Sequence, residues 1–256
     1  MLQVVCIKQV ADTETRVKVA ADGRTLDPAG VTWILNPYDE FALEQALRIR
    51  EALGSGEVVV ISLGGAGVQT TVRNALALGA DRAIHLKTDG TQPDSLQVAR
   101  ALAAELQTDA LKAAQIIWLG KQAVDDDAAQ VGPMVAELLG HPCVTVVAAI
   151  EPLAAGATQA VVEREVEGGR EVVEVTLPAV LAADKGLNEP RYASLKGIMA
   201  AKKKPIEEKA VTLGPPALEI VSLALPPARA PGKIVGQGVE AVPELVRVLR
   251  EEAKVI

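Results

Sequence analysis

The feature that most limits how this chain can fold is a series of short apolar runs set between longer stretches of helical period. Val58, Val59, Val60 and Ile61 follow one another inside a run at 57–63, with no polar residue alternating among them. A strand open to water on one face alternates apolar and polar residues, so this run predicts a strand covered on both faces. Further strands are predicted at 4–7, 83–86 and 115–119. Asn36-Pro37-Tyr38-Asp39 opens the first helix: Asn36 can cap it, Pro37 suits its first turn and Asp39 favours the positive end of its dipole. Ala42, Leu43, Ala46, Leu47, Ile49 and Leu53 form its apolar stripe, and Gly54 stops it. Helices also follow the Gly64-Gly65-Ala66-Gly67 turn as far as Leu78, at 95–106, and from about 128 to 139. Buried strands separated by helices predict an α/β fold, a doubly wound parallel sheet.

The pattern changes after Pro142. Strands are expected at 144–150, 160–166 and 171–177, and the Gly-Gly of Glu167-Gly168-Gly169-Arg170 signals a hairpin between the last two. A short apolar strand follows at 179–183. Beyond Lys185, prolines at 215–216 and 226–227 interrupt a thinner pattern that ends in a helix at 243–252. Residues 1–190 therefore read as the α/β domain and 191–256 as an extended arm. Ile220, Val221, Leu223, Leu225, Ile234 and Val235 make the arm too apolar to stay solvated, so a second chain is its expected cover.

Composition excludes several functions. A net charge of −7 and 2% aromatic residues leave neither the basic face nor the stacking platforms that nucleic-acid binders use. Cys6 and Cys143 lie far apart, outside any metal-ligand or redox spacing, and read as buried, inert thiols in a reducing compartment. With no secretory signal pattern and no apolar stretch of roughly 18 residues, a soluble cytoplasmic protein without membrane insertion is expected. His85 and His141 stand alone, and no serine lies in a nucleophile elbow, so any chemistry is expected to belong to a cofactor. Trp33 and Trp118 read as core residues, and Lys202-Lys203-Lys204 as a solvated charge run.

Two segments could meet a ligand. The Gly64–Gly67 turn could present backbone N–H groups to a phosphate at a helix start. It lacks the third glycine of the dinucleotide fingerprint and the Lys-Ser/Thr of a P-loop, so tight geometry explains it equally well. Gly120-Lys121-Gln122-Ala123-Val124-Asp125-Asp126-Asp127 follows a predicted strand at its carboxyl end, the edge where open α/β sheets bind ligands. Helix capping by Asp126 or Asp127 is the competing reading.

The segment Leu187-Asn188-Glu189-Pro190-Arg191-Tyr192-Ala193-Ser194-Leu195, continuing to Ile198-Met199 and Lys202-Lys203-Lys204, resembles the signature of electron-transfer flavoprotein beta subunits. Residues 4–10 with Lys8, 36–40, 75–82 and 120–127 resemble the same family in the same order. The resemblance implies an electron carrier subunit without catalytic residues of its own. Its partner would be a larger alpha subunit that holds most of the FAD, shared at the interface. It also implies an adenine-nucleotide-binding, Rossmann-like domain with a buried structural AMP. The matching pocket residues are Cys6, Asn36, Pro37, Tyr38, Asp39, Leu63, the 120–127 segment, Ala128, Ala129, Gln130 and Val131, with the glycine turn as a second wall. Tyr38 matches an aromatic position beside the flavin. Leu195 matches the anchor of a recognition loop, 187–199, that captures acyl-CoA and related dehydrogenases of fatty-acid β-oxidation. Electrons then pass to a membrane quinone reductase.

Two departures from the family pattern stand out. Lys196-Gly197 replaces a more usual Pro-Asn. Ala128-Ala129-Gln130-Val131-Gly132-Pro133 resembles electron-bifurcating relatives, whose beta subunit carries a second FAD in place of AMP. Those relatives have glycine where Asp126 stands, and a carboxylate there opposes an added diphosphate, so AMP is expected. Outside the family, a nucleotide-binding sensor or hydrolase of similar fold would be a homo-oligomer that turns over ATP. That reading leaves the arm and the 187–195 signature unexplained.

Overall fold

The computed structural model describes every residue except Thr91 and Ala230. The chain opens with β1 (Leu2–Cys6), a two-stranded flap of β2 (Gln9–Ala11) and β3 (Trp33–Leu35), and α1 (Pro37–Leu53). Three alternations follow: β4 (Glu57–Gly64) with α2 (Val68–Leu78), β5 (Arg82–Lys87) with α3 (Ser95–Leu106), and β6 (Ile116–Gly120) with α4 (Val131–Leu139). Next come β7 (Cys143–Ile150), β8 (Gln159–Val166), β9 (Gly169–Thr176) and β10 (Ala179–Ala183). The last elements are α5 (Leu195–Ala201), β11 (Ile206–Ala210) and α6 (Val242–Arg247).

The main sheet has the order β11-β5-β4-β1-β6-β10-β7-β8-β9. Its first seven strands run parallel, and the β7–β8 and β8–β9 pairs are antiparallel. Alternate strand residues feed two cores. Val5, Val58, Val60, Trp118 and Leu181 pack with α1 and α2 on one face, while Val4, Val59, Ile61, Ile84 and Ile117 pack with α3 and α4 on the other. Every one of these strand residues is buried, which is why the runs show no alternation. The buried Trp118 indole donates to Gln3 Oε1, and Gln3 Nε2 donates to Ala46 O at 3.0 Å, so two polar groups enter this core fully paired.

The chain first builds outward from β1 through β4 and β5, then returns to place β6 on the other side of β1. The carboxyl ends of β1 and β6 therefore flank the point where the winding reverses, where such sheets form a crevice.

Several local expectations are corrected. Residues 195–210 do not extend away from the domain: α5 packs on α2, and β11 joins the sheet edge with Ile206 opposite Ala83. Helix α4 starts at Val131, not 128, because Asp127 (φ 51°) and Ala129 (φ 52°) adopt left-handed backbone. Trp33 is exposed, since the flap that carries it is covered on one side only, and Cys143 is exposed at the start of β7. Lys204 is not a solvated member of a charge run: its ammonium donates to Leu76 O in α2 and to Ala80 O just beyond it. Among the described residues, no helix is long and apolar enough to cross a membrane.

Candidate functional site

A cleft open to solvent, with a cavity volume of about 100 Å³, lies at the carboxyl ends of β1 and β6. Cys6, Ile7 and Lys8 line it from the end of β1, Leu119 through Ala123 from the end of β6, and Leu63 from β4. Asp126 and Ala128 to Gly132 close the side next to α4, and Ser95, Val98 and Leu102 come from α3.

Asp39, Asn36, Lys8 and Asp126 at the rim are bonded within the protein. Asp39 accepts the Lys8 N–H on Oδ2 at 2.7 Å and the Gly120 N–H on Oδ1 at 2.8 Å, tying the two strand ends together. Burial pushes its carboxyl up to about 7, against the pull of these donors. Asn36 does not cap α1. Its amide nitrogen donates to Gln122 O at 2.9 Å and its amide oxygen accepts the Val124 N–H at 3.2 Å, which pins the loop after β6. At Gly120 a Cβ would lie 2.5 Å from Tyr38 Cβ, so only glycine lets this strand end pass the start of α1.

The three aspartates do not follow the capping reading: none of them caps α4, and Asp126 lines the cleft. Lys8 Nζ pairs with Asp125 at 2.8 Å and Asp126 at 3.3 Å, Asp126 also accepts the Ala128 N–H, and Asp127 accepts from Gln122. This hydrogen-bonded turn holds the left-handed residues before α4. The backbone N–H groups of Ala129, Gln130 and Val131 are left without a protein acceptor among the described residues. They stand at the positive end of the α4 dipole, where an anion is favoured. Burial, reinforced by Asp39, raises the Cys6 thiol far above its ordinary range, so Cys6 is a neutral wall and not a nucleophile.

The cleft thus offers an apolar slot of Leu63, Val98, Leu102 and Leu119 beside a row of free N–H groups. Of the expected pocket residues, Pro37, Tyr38, Val124, Asp125 and Asp127 do not line it. Neither does the Gly64–Gly67 turn, where Gln9 Nε2 donates to Gly67 O at 3.1 Å. Tyr38 lies just outside, its ring centroid 5.2 Å from Lys121 Nζ, which in turn pairs with Asp184 at 3.0 Å. Lys8, Ser95, Val98 and Leu102 were not anticipated in the cleft. The α3 residues carry no local signal, because only the packing of α3 brings them there.

Residues 24–213 match the electron transfer flavoprotein domain. Across 260 residues and the full length of both chains, the sequence is 41% identical to electron transfer flavoprotein subunit beta of Bradyrhizobium diazoefficiens. It is 38% identical to the Bacillus subtilis subunit beta over 98% of each chain, and 39% identical to that of Mus musculus over 98% and 97%. The chain belongs to the electron transfer flavoprotein beta-subunit family.

In this beta subunit the 187–199 segment has a fixed base and an apolar tip. Arg191 clasps α1, with Nε donating to Glu44 at 2.7 Å and both terminal nitrogens donating to Glu51. Burial alone would raise the Glu44 carboxyl, but Arg191 and Arg48 hold it below the usual carboxylate range. Asn188 donates to Phe41 O, and Arg48 donates to Glu189 O. Ser194 caps α5 by accepting the Gly197 N–H at 3.0 Å. Beyond this base, Tyr192 is 97% and Leu195 78% exposed, and Ile198 and Met199 lie exposed on the same short helix.

Proposed function

We propose that this chain is the AMP-holding, partner-docking half of an electron carrier, paired with a larger alpha subunit that holds most of the FAD. The observation that carries this reading is Leu195, an exposed leucine on a loop whose base is clamped to α1 by Arg191. A leucine entering a partner's apolar pocket contributes roughly 2 kcal/mol, enough to select a partner and little enough to release it. The partners are acyl-CoA and related dehydrogenases as electron donors and a membrane quinone reductase as acceptor, which places the carrier in fatty-acid β-oxidation.

FAD, when bound, supplies the electron-accepting and electron-donating chemistry. This chain's residues bind and orient, with Tyr38 facing the flavin side of the interface. The apolar slot takes the adenine of AMP, and the N–H groups of Ala129 to Val131 take its phosphate. Asn36 and Asp39 act by holding the walls. Asp126, a carboxylate inside the cleft, opposes a second FAD diphosphate. AMP stabilises the fold by binding the native state alone. The arm lays Ile220, Val221, Leu223 and Leu225 on the alpha subunit, burying side chains that this chain leaves exposed.

Native mass spectrometry of the chain co-expressed with its alpha subunit tests the whole reading. One FAD and one AMP per heterodimer are expected. Two FAD and no AMP would make this a bifurcating carrier, and a homo-oligomer that hydrolyses ATP would replace the proposal altogether.

A further inference from the structure

Helices α2 and α5 close each other's C-terminal ends. The last carbonyls of a helix lack intrahelical donors and carry the negative end of its dipole. From α2, Arg73 Nη1 donates to Ala201 O at 2.6 Å and to Lys204 O at 2.9 Å, at and just past the end of α5. In return, Lys204 Nζ donates to Leu76 O at 3.1 Å and to Ala80 O, at and just past the end of α2. Between these crossed contacts the two backbones nearly touch: a Cβ on Gly197 would stand 2.4 Å from Ala77 O. Gly197 is thus the residue that lets α5 sit this low on α2.

Helix α5 has 7 residues. A helix so short does not hold itself together in water, so neighbours must supply its stability and direction. Its buried Ala201 faces α2, whereas Leu195, Ile198 and Met199 face solvent.

We propose that Arg73 and Lys204 are positioning residues for docking: their crossed clasp sets the direction of α5, and so of Leu195, before any partner arrives. The proposal rests on the docking role assigned above to Leu195. A surface already in its bound form loses less conformational freedom on association, so the clasp acts on capture of the partner and not on electron transfer within the complex.

The test uses the intact heterodimer with Arg73→Met, Arg73→Lys and Lys204→Met, and with Leu195→Ala as reference. Two readouts are taken: hydrogen exchange of the 195–204 amides, and steady-state electron transfer from an acyl-CoA dehydrogenase that reduces the wild-type carrier. Arg73→Met is expected to speed exchange on the order of tenfold, the size of a lost charge-assisted hydrogen bond. It should raise the KM for the carrier about fivefold with kcat unchanged. Arg73→Lys keeps an ammonium that can reach both carbonyls and should recover most of both effects. Lys204→Met should reproduce the faster exchange and higher KM, and it supplies the result if Arg73→Met does not fold. If both methionine variants leave exchange and KM unchanged while Leu195→Ala raises KM, the clasp is overturned and the docking reading stands. If Leu195→Ala has no effect, the docking reading falls and takes this proposal with it.

Discussion

The cleft and the 187–199 segment are built in opposite senses. In the cleft, Asn36, Asp39 and Lys8 are bonded to other parts of the protein, and the backbone N–H groups of Ala129 to Val131 have no protein acceptor among the described residues. In the 187–199 segment, Arg191, Asn188 and Ser194 are bonded to the protein, and the exposed groups are the side chains of Tyr192, Leu195 and Met199. Backbone donors suit an anion that stays in place, because their geometry is set by the fold. A single apolar side chain suits a partner that must leave, because its contribution is small and needs no aligned hydrogen bonds. The same device, polar side chains spent on internal bracing, serves both ends.

Acid and base should separate the two regions. An unfolded aspartate releases its proton near pH ~4, whereas the Asp39 carboxyl in the fold releases its own at about 7. The native state therefore holds more protons between these values, and stability contributed by protonated Asp39 is lost as pH rises from about 4 through 7, by at most about 4 kcal/mol. Glu44, which Arg191 clasps, works in reverse: its depressed carboxyl contributes stability that is lost only as the medium turns acidic. Urea unfolding followed from pH 4 to 8 should show the downward slope, and Asp39→Asn should flatten it. A wild-type profile that rises with pH over this range would break the contrast.

Gly120→Ala should act next most strongly. The added methyl meets Tyr38 Cβ and Asp39 Oδ1, so a loss of about 3 kcal/mol in stability is expected, together with loss of bound nucleotide. Thermal unfolding and nucleotide content of the purified heterodimer measure both. Leu195→Ala should show the converse pattern. Stability should change by less than about 0.5 kcal/mol, since the side chain touches little, while the KM for the carrier rises roughly tenfold. A stability loss as large as that of Gly120→Ala would mean that Leu195 is a structural residue.

Much of the sheet was legible because its signals are local. The runs at 57–63 and 115–119 became buried parallel strands, and the 167–170 segment became the β8–β9 hairpin. The bracing was not legible, because it links residues far apart in the chain: Asn36 reaches Gln122, and Asp39 reaches Gly120. A local reading gave each residue a plausible cap or dipole role, and tertiary partners took those groups instead. Strand β11 was missed for a related reason. Ile206-Glu207-Glu208-Lys209-Ala210 is too charged to announce a strand, and it pairs only because the edge of β5 is open beside it, with Lys87 and Glu105 waiting to bond Glu208 and Lys209. Asn36 and Asp39 did meet Gly120 to Ala123, Asp126 and Ala128 to Val131 at one cleft. The glycine turn at 64–67 did not, since tight geometry alone accounts for it.

The tail beyond β11 has a consequence for the life of the molecule in a cell. Leu218, Val221, Leu225, Ile234 and Val239 present a ribbon of bare hydrocarbon. Chaperones and proteases recognise such surface, so a copy that fails to find a cover is marked for removal. The amount of this chain at steady state would then track the supply of the surface that shields it, and stoichiometry would be kept by turnover of the surplus.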